Sequence, residues 1–152
     1  ANVRDGEAVE DLDAGEARFR EATGAGEARF HVVPREVLRG LFHAPDVPEA
    51  VMDADDAAQS RVPVRAASEV TTPGFVREYA AQISCPIFLC FGAVLDVSPD
   101  PWEEPARYRA SSDITLLVLE GSAHCHNMAS KRHDLFDRID SWARERAAPS
   151  PT

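Results

Sequence analysis

Two apolar runs, at residues 87–91 and 114–119 with Thr115 as the one polar residue, constrain the fold more than any other feature of this sequence. Each has the length of a strand, and continuous apolar runs of this kind are typical of strands buried on both faces of a parallel sheet. The segment 100–103 (Asp-Pro-Trp-Glu) lies between them and has the pattern of a helix start, with Asp100 as N-cap. Strand, helix and strand in this order predict a βαβ unit with parallel strands.

A carboxylate and an imidazole follow the two runs. Asp96 lies in the loop after the first run, and His124 lies in the loop after the second. Because loops at the carboxyl ends of parallel strands open at the same edge of a sheet, we expect the two side chains to meet. Such a carboxylate can hold the tautomer of a histidine that works as a general acid and base. A turn-capping aspartate and a solvated histidine would fit the spacing equally well.

Two neighbouring residues are rivals for these roles. Asp100 is the rival acid, but its predicted position as an N-cap already accounts for it. His126 is the rival base. We favour His124 because it follows a pair of small residues at the predicted tight turn, whereas His126 and Asn127 are suited to orienting the loop or capping the last helix.

The spacing of His124 and His126 also suggests a zinc site, with His133 or Asp96 as a third ligand. No further cluster of Cys, His or Glu supports this interpretation, so we predict neither a metal nor another cofactor. Cys125 is a poor candidate nucleophile, because it lies between two histidines on a turn.

Composition narrows the possible partners and the compartment. The 152 residues suffice for one domain, and a net charge of −10 argues against nucleic acids and anionic membrane surfaces as partners. No apolar run approaches the roughly 18 residues of a membrane span. Three cysteines without paired spacing give no disulfide framework, which favours the reducing cytoplasm.

The first half of the chain is mostly helical by pattern. Within it we expect an acidic, solvated helix at 46–58 and a further helix with Thr72 as N-cap, burying Val76 and Tyr79. The string Gly-Glu-Ala-Arg-Phe occurs twice, but two copies do not indicate a repeat fold. We divide the chain into a low-complexity acidic segment at 1–30, a helical region at 31–81, a strand-containing region at 82–148 that ends in an amphipathic helix, and a tail at 149–152.

The segment 85–92 (Cys-Pro-Ile-Phe-Leu-Cys-Phe-Gly) leads to Asp96, and the segment 119–124 (Leu-Glu-Gly-Ser-Ala-His) leads into the last helix. On these motifs the chain resembles the C-terminal part of the α/β-hydrolase fold family. The resemblance implies an α/β class with a partial α/β-hydrolase fold, whose last parallel strands and flanking helices follow a lid-like region at 31–81. It also implies hydrolysis of a carboxylic ester or related acyl bond, with Asp96 and His124 as the acid and base of a catalytic triad.

The family places its serine nucleophile in a G-x-S-x-G turn, and none of the ten serines lies in such a motif. From the resemblance we expect an ester-like small-molecule substrate. Because the nucleophile motif is absent, we expect no turnover by this chain alone. The nucleophile would then come from a missing N-terminal half, in the same gene product or in a partner chain. Two strands with open edges also favour further strands beside them. A non-catalytic binding domain derived from the same fold and a metal-assisted hydrolase using His124 and His126 are the alternatives.

Overall fold

The computed structural model describes residues 11–147. Residues 1–10 of the acidic segment and the predicted tail at 149–152 lie outside the described residues. No helix within 11–147 is long and apolar enough to cross a bilayer. The elements follow in this order: α1 (Leu12–Thr23), β1 (Phe30–His31), a 3-10 turn (Arg35–Val37), α2 (Arg39–Phe42), α3 (Glu49–Ala57), β2 (Val62–Pro63), α4 (Val64–Thr71), α5 (Arg77–Ala80), β3 (Ile87–Gly92), a 3-10 helix (Pro101–Arg107), β4 (Ile114–Leu119), a 3-10 turn (His126–Met128) and α6 (Arg132–Ala147).

The chain is a mixed helix-and-strand fold with two small sheets. β3 and β4 pair in parallel with the register Ile87↔Ile114 to Gly92↔Leu119. Both strands and their parallel pairing are confirmed. The Asp100 carboxylate accepts a hydrogen bond from the Trp102 amide at 3.0 Å, so the predicted cap between the strands is confirmed, although the helix that follows is of the 3-10 type.

The expectation that these strands are buried on both faces is wrong for the described chain. Most of their side chains are half-buried, and only Gly92 and Leu119 are buried. Each strand has one partner strand within residues 11–147, so one edge of each stays open. On one face of this sheet, the Phe88 ring packs edge-on against the Trp142 ring of α6, with ring centroids 5.8 Å apart.

The last helix, α6, is tied to the start of β4. Arg146 donates to both carboxylate oxygens of Asp113, at 2.8 Å and 2.6 Å, and its guanidinium lies 4.5 Å from the centre of the Trp142 ring. On the apolar side of this predicted amphipathic helix, Leu135 is buried. Ile139 is 42% exposed, because α6 covers a sheet of only two strands.

The first half of the described chain is mostly helical, as expected, but α4 is a helix that the pattern did not predict. α1 is capped by Asp11 and packs against α4, which begins directly after the short antiparallel pair of β1 and β2. The two copies of Gly-Glu-Ala-Arg-Phe differ in structure, because residues 15–19 are helical and residues 26–30 form a turn that enters β1. The repeated string therefore does not form a repeated structural unit.

Thr72 ends a helix and does not begin one. It has an extended backbone, and its hydroxyl donates to the Ser68 carbonyl of α4 at 2.9 Å. A residue before proline is driven towards extended conformations, so Thr-Pro stops the preceding helix here. The predicted buried stripe is also wrong, because Val76 and Tyr79 are 59% and 66% exposed beside the single turn of α5.

Two of the three aspartates of the acidic helix α3 are less exposed than predicted. The Asp55 side chain is 12% exposed and lies 3.4 Å from Nε2 of His43, whose own side chain is 2% exposed. Asp56 forms an ion pair with Arg39. Only Asp53, at 65% exposed, matches the expected solvated face. Two of the three aspartates therefore hold α3 against the preceding segment.

Candidate functional site

Asp96 and His124 are in direct contact at the carboxyl ends of β3 and β4. Oδ1 of Asp96 lies 2.8 Å from Nδ1 of His124. An isolated parallel bridge between Leu95 and Ala123 continues the pairing of the strands to the residues directly before them. The structure therefore brings the two predicted site residues together, while their catalytic role stays a prediction.

The backbone around Gly92 explains why the two loops meet. The Ala93 amide donates to Leu119, and the Val94 amide donates to the Ser122 carbonyl at 3.0 Å. A side chain at position 92 would collide with the carbonyl oxygens of Ser122 and Ala123. Glycine is thus required for the close approach of the two strand ends.

The Asp96 carboxylate is buried, and both of its oxygens accept hydrogen bonds. Its side chain is 2% exposed. Oδ2 accepts from the Gly92 amide at 2.6 Å, and Oδ1 accepts from the Val97 amide at 2.6 Å as well as from His124. Backbone donors of this kind fix a carboxylate in position. Asp96 can therefore orient an imidazole, while the burial of its side chain keeps it from contact with a substrate.

His124 keeps one ring nitrogen available. Its side chain is 39% exposed, and no hydrogen bond joins Nε2 to another residue in the described part of the chain. With Nδ1 bound to a carboxylate, Nε2 is the nitrogen that can exchange a proton with a ligand. This is the arrangement that the sequence predicted for a general base.

The helical region supplies one wall of the site, which the sequence did not reveal. The backbone amide of His124 donates to the Leu41 carbonyl at 3.1 Å, and that of Cys125 donates to Phe42 at 2.8 Å. The Phe42 ring lies 5.6 Å from the His124 ring between centroids. Phe42 lies far from His124 along the chain, and no pattern in the sequence indicates this contact.

His126 faces inward, unlike His124. Its Nδ1 lies 2.7 Å from the Ala123 carbonyl, and its Nε2 lies 3.1 Å from the Cys90 carbonyl and 3.6 Å from Oδ2 of Asp96. With a side chain only 14% exposed, it orients the loop, one of the two supporting roles expected for it. Asn127 beside it is exposed.

Neither of the nearest side chains that could attack a carbonyl is suited to do so. Burial raises the pKa of the Cys125 thiol, and the Asp55 carboxylate raises it further. Ser122 is completely buried, and its hydroxyl donates to the Ala123 carbonyl at 2.9 Å. Thiolates and accessible hydroxyls are the reactive forms, so neither residue is a candidate nucleophile.

The geometry gives no support to the zinc interpretation. Within residues 11–147, no group of three or more His, Cys, Asp or Glu side chains lies close enough together to hold a metal ion. Nδ1 of His124 is bound to Asp96, and both ring nitrogens of His126 face carbonyl oxygens. Ligand nitrogens would have to face an open coordination position.

A cavity of about 180 Å³ opens beside the Asp96 loop. Phe91 of β3 and Val97 of the loop line it together with Phe75 and Val76 from the helical region. A larger cavity of about 600 Å³ lies between β4 and α6, and neither Asp96 nor His124 lines either cavity. The smaller cavity adjoins the candidate site only through Val97 and Ser98, which follow Asp96 in its loop.

No family model, curated protein or solved structure matches this chain. The resemblance to the α/β-hydrolase family accordingly stays a prediction that depends on the motifs around Asp96 and His124.

Proposed function

We propose that this chain carries the acid and histidine of an α/β-hydrolase-type site that hydrolyses a carboxylic ester or related acyl bond. One observation supports the proposal most strongly. Nδ1 of His124 lies 2.8 Å from a buried carboxylate oxygen of Asp96, and the same ring is 39% exposed on its other side. That combination of an oriented imidazole and an accessible nitrogen is what serine hydrolases require.

In the proposed reaction, a serine hydroxyl attacks the carbonyl carbon of a small ester-like substrate. Nε2 of His124 takes the hydroxyl proton as the new C–O bond forms, and then gives it to the departing alkoxide oxygen. Water repeats these steps to release the acid and restore the serine. Asp96 stays ionised throughout and stabilises the imidazolium that forms transiently on His124.

The serine and the oxyanion hole are proposed to come from an N-terminal half, in the same gene product or in a partner chain. The open edges of β3 and β4 support this, because two half-buried strands leave main-chain groups unpaired. In this proposal residues 82–148 form the end of the hydrolase core. Residues 31–81 form its lid, and Phe42 brings that lid against His124.

We place the enzyme in the cytoplasm and expect neither nucleic acid nor membrane as a partner. All three cysteines lie within the described chain as free thiols, which agrees with a reducing compartment. The net charge of −10 disfavours binding to polyanions.

Reading the coding DNA upstream and expressing the longer product tests the proposal. We expect an in-frame G-x-S-x-G and labelling of its serine by a fluorophosphonate probe. His124→Ala should lower kcat for a simple aryl ester on the order of 10⁴-fold or more. His133→Ala, which changes an exposed histidine of α6, serves as the matched control and should leave kcat unchanged. An absent motif, or equal activity of the two variants, would contradict the proposal.

A non-catalytic binding domain is the second candidate, and one observation favours it. Val94, Leu95 and Val97, in the loop that carries Asp96, are each about half exposed, at 54%, 48% and 52%. Exposed apolar clusters frequently mark binding surfaces. The labelling experiment separates the two candidates, because a binding domain has no serine to label.

A further inference from the structure

His126 has oxygen acceptors at both ring nitrogens. Nδ1 lies 2.7 Å from the carbonyl oxygen of Ala123, and Nε2 lies 3.1 Å from that of Cys90. A carboxylate oxygen of Asp96 lies 3.6 Å from Nε2. The side chain is 14% exposed, so water has little access to relieve a mismatch at either nitrogen.

A neutral imidazole has one donor and one acceptor nitrogen, whereas an imidazolium donates at both. A neutral His126 would therefore point a lone pair at a carbonyl oxygen on one of its two sides. The Ser122 hydroxyl, 3.4 Å from Nδ1, is the nearby group that could donate instead, but it donates to the Ala123 carbonyl at 2.9 Å. The hydrogen-bonding surroundings thus match a doubly protonated ring with Asp96 as its counter-ion.

The bond to Cys90 also reaches the open edge of the sheet. The Ile87 amide donates to Asp113 and the Ala93 amide to Leu119, so odd-numbered residues of β3 bond towards β4. Because alternate residues of a strand bond to opposite sides, the Cys90 carbonyl belongs to the other edge. His126 therefore links the loop after β4 to the far side of β3.

We propose that His126 is a positioning residue held as an imidazolium, so that Asp96 is the shared counter-ion of two histidines. His124 binds Oδ1 and His126 approaches Oδ2, at 2.8 Å and 3.6 Å. A nearby carboxylate favours the charged form of an imidazole, and a second cation on the same carboxylate weakens that effect. The charge on His126 therefore leaves His124 more readily neutral, which is the form that accepts a proton. The catalytic consequence rests on the proposed function, but the protonation of His126 does not.

The groups that face His126 come from three segments. The Asp96 carboxylate comes from the loop after β3, the Cys90 carbonyl from β3 itself, and His124 and the Ser122 hydroxyl from its own loop, the two histidine rings being 6.3 Å apart. Burial raises the pKa values of the Cys90 and Cys125 thiols, so neither thiol adds a charge here. Asp96 and His124 are thus the groups whose charge bears most directly on His126.

Ring-nitrogen NMR of the uniformly ¹⁵N-labelled chain tests the proposal at about pH 7.5, which is about one unit above the usual pKa of a histidine. For His126 we expect two ring nitrogens of similar frequency, each carrying a proton. His133 is the internal reference for an exposed imidazole and should show the widely separated pair of a neutral ring. A separated pair at His126 would overturn the proposal, while leaving the Asp96–His124 contact and the hydrolase proposal untouched.

A variant tests the sharing of charge separately. In His126→Gln the side-chain amide can still donate to the Cys90 carbonyl but carries no charge. We expect the pH midpoint of the His124 ring signals to rise by about one unit, because Asp96 then serves one histidine alone. His133→Gln is the control and should leave the pH midpoint of the His124 ring signals unchanged. An unchanged His124 midpoint in a folded His126→Gln chain would refute the shared counter-ion. Should that variant fail to fold, the spectrum of the unaltered chain decides.

Discussion

A β-carbon on Gly92 would lie 2.5 Å from the carbonyl oxygen of Ser122, so the backbones that leave β3 and β4 touch at this point. The Ala123 carbonyl oxygen is nearly as close to the same position, at 2.7 Å. Backbone atoms cannot rotate aside as a flexible side chain would. The contact between Asp96 and His124, only a few residues beyond, depends on this approach.

Gly92→Ala is expected to destabilise the chain by about 1–3 kcal/mol, the usual cost of forcing extra volume into a packed position. The loops should also separate, so that His124 loses its hydrogen bond to Asp96. Gly40→Ala is the matched control, since a β-carbon there meets nothing within 4 Å and alanine favours the helix. Urea unfolding of both variants measures the difference, and equal midpoints would show that the two backbones do not touch.

Asp55→Ala is expected to cost about 1–3 kcal/mol, because it leaves the buried His43 side chain without its closest polar partner. Asp53→Ala removes a carboxylate from the same helix that is 65% exposed, and should cost at most about 1 kcal/mol. Thermal or urea unfolding gives both values. If the two substitutions lowered the free energy of unfolding equally, the burial of the Asp55 side chain beside His43 would be contradicted.

The Arg146–Asp113 pair should make stability depend on pH. The hydrogen bonds from the Arg146 guanidinium lower the pKa of Asp113 from its ordinary value. A carboxyl with a lowered folded-state pKa stabilises the fold above its unfolded pKa of about 3.9, and this contribution is lost as the pH falls below that value.

Arg146→Gln should therefore lower the melting temperature at neutral pH and lose less on acidification than the unaltered chain does. Arg144→Gln, which disrupts an exposed pair with Asp140, is the control and should melt almost as the unaltered chain. Scanning calorimetry from about pH 7 to about pH 2 compares them from neutral pH to well below the ordinary pKa of an aspartate. A parallel pH profile for Arg146→Gln and the unaltered chain would exclude the pair as the cause.

The elements that the sequence predicted correctly are those whose pattern has one physical explanation. The runs of β3 and β4 are too short for helices, and the Asp-Pro pair at 100–101 caps only a helix start. From their order, the proximity of Asp96 and His124 could be predicted, because parallel strands place their following loops at one edge.

The elements that it missed depend on contacts between distant residues. α4 buries Val64 and Ser68 on one side, a face too small to stand out as an apolar stripe. Thr72 caps a helix start by its residue type, yet here its hydroxyl bonds back to Ser68. The packing of Phe42 against His124 and the inward orientation of His126 arise from tertiary packing, for which single-sequence periodicity carries no signal.

The three thiols should differ in reactivity. Burial raises the pKa of the Cys90 thiol to about 11, with the nearby Asp96 carboxylate adding to the increase. Its thiolate fraction at about pH 8 is then on the order of one thousandth. Cys85 is exposed. Iodoacetamide should therefore alkylate Cys85 first in the folded chain, as followed by peptide mass spectrometry, and all three cysteines in urea. Equal rates at Cys85 and Cys90 without denaturant would contradict the partial burial of the Cys90 thiol.

The tautomer of His124 tests the central relationship most directly. Nδ1 donates to Asp96 only if it carries the proton, so Nε2 must be the bare nitrogen when the ring is neutral. Long-range ¹H–¹⁵N spectra of the labelled chain above the titration of His124 distinguish the two forms. We expect the proton on Nδ1 in the unaltered chain and its loss from that position in Asp96→Ala. A proton on Nε2 that is indifferent to the Asp96 substitution would contradict the acid–histidine pair.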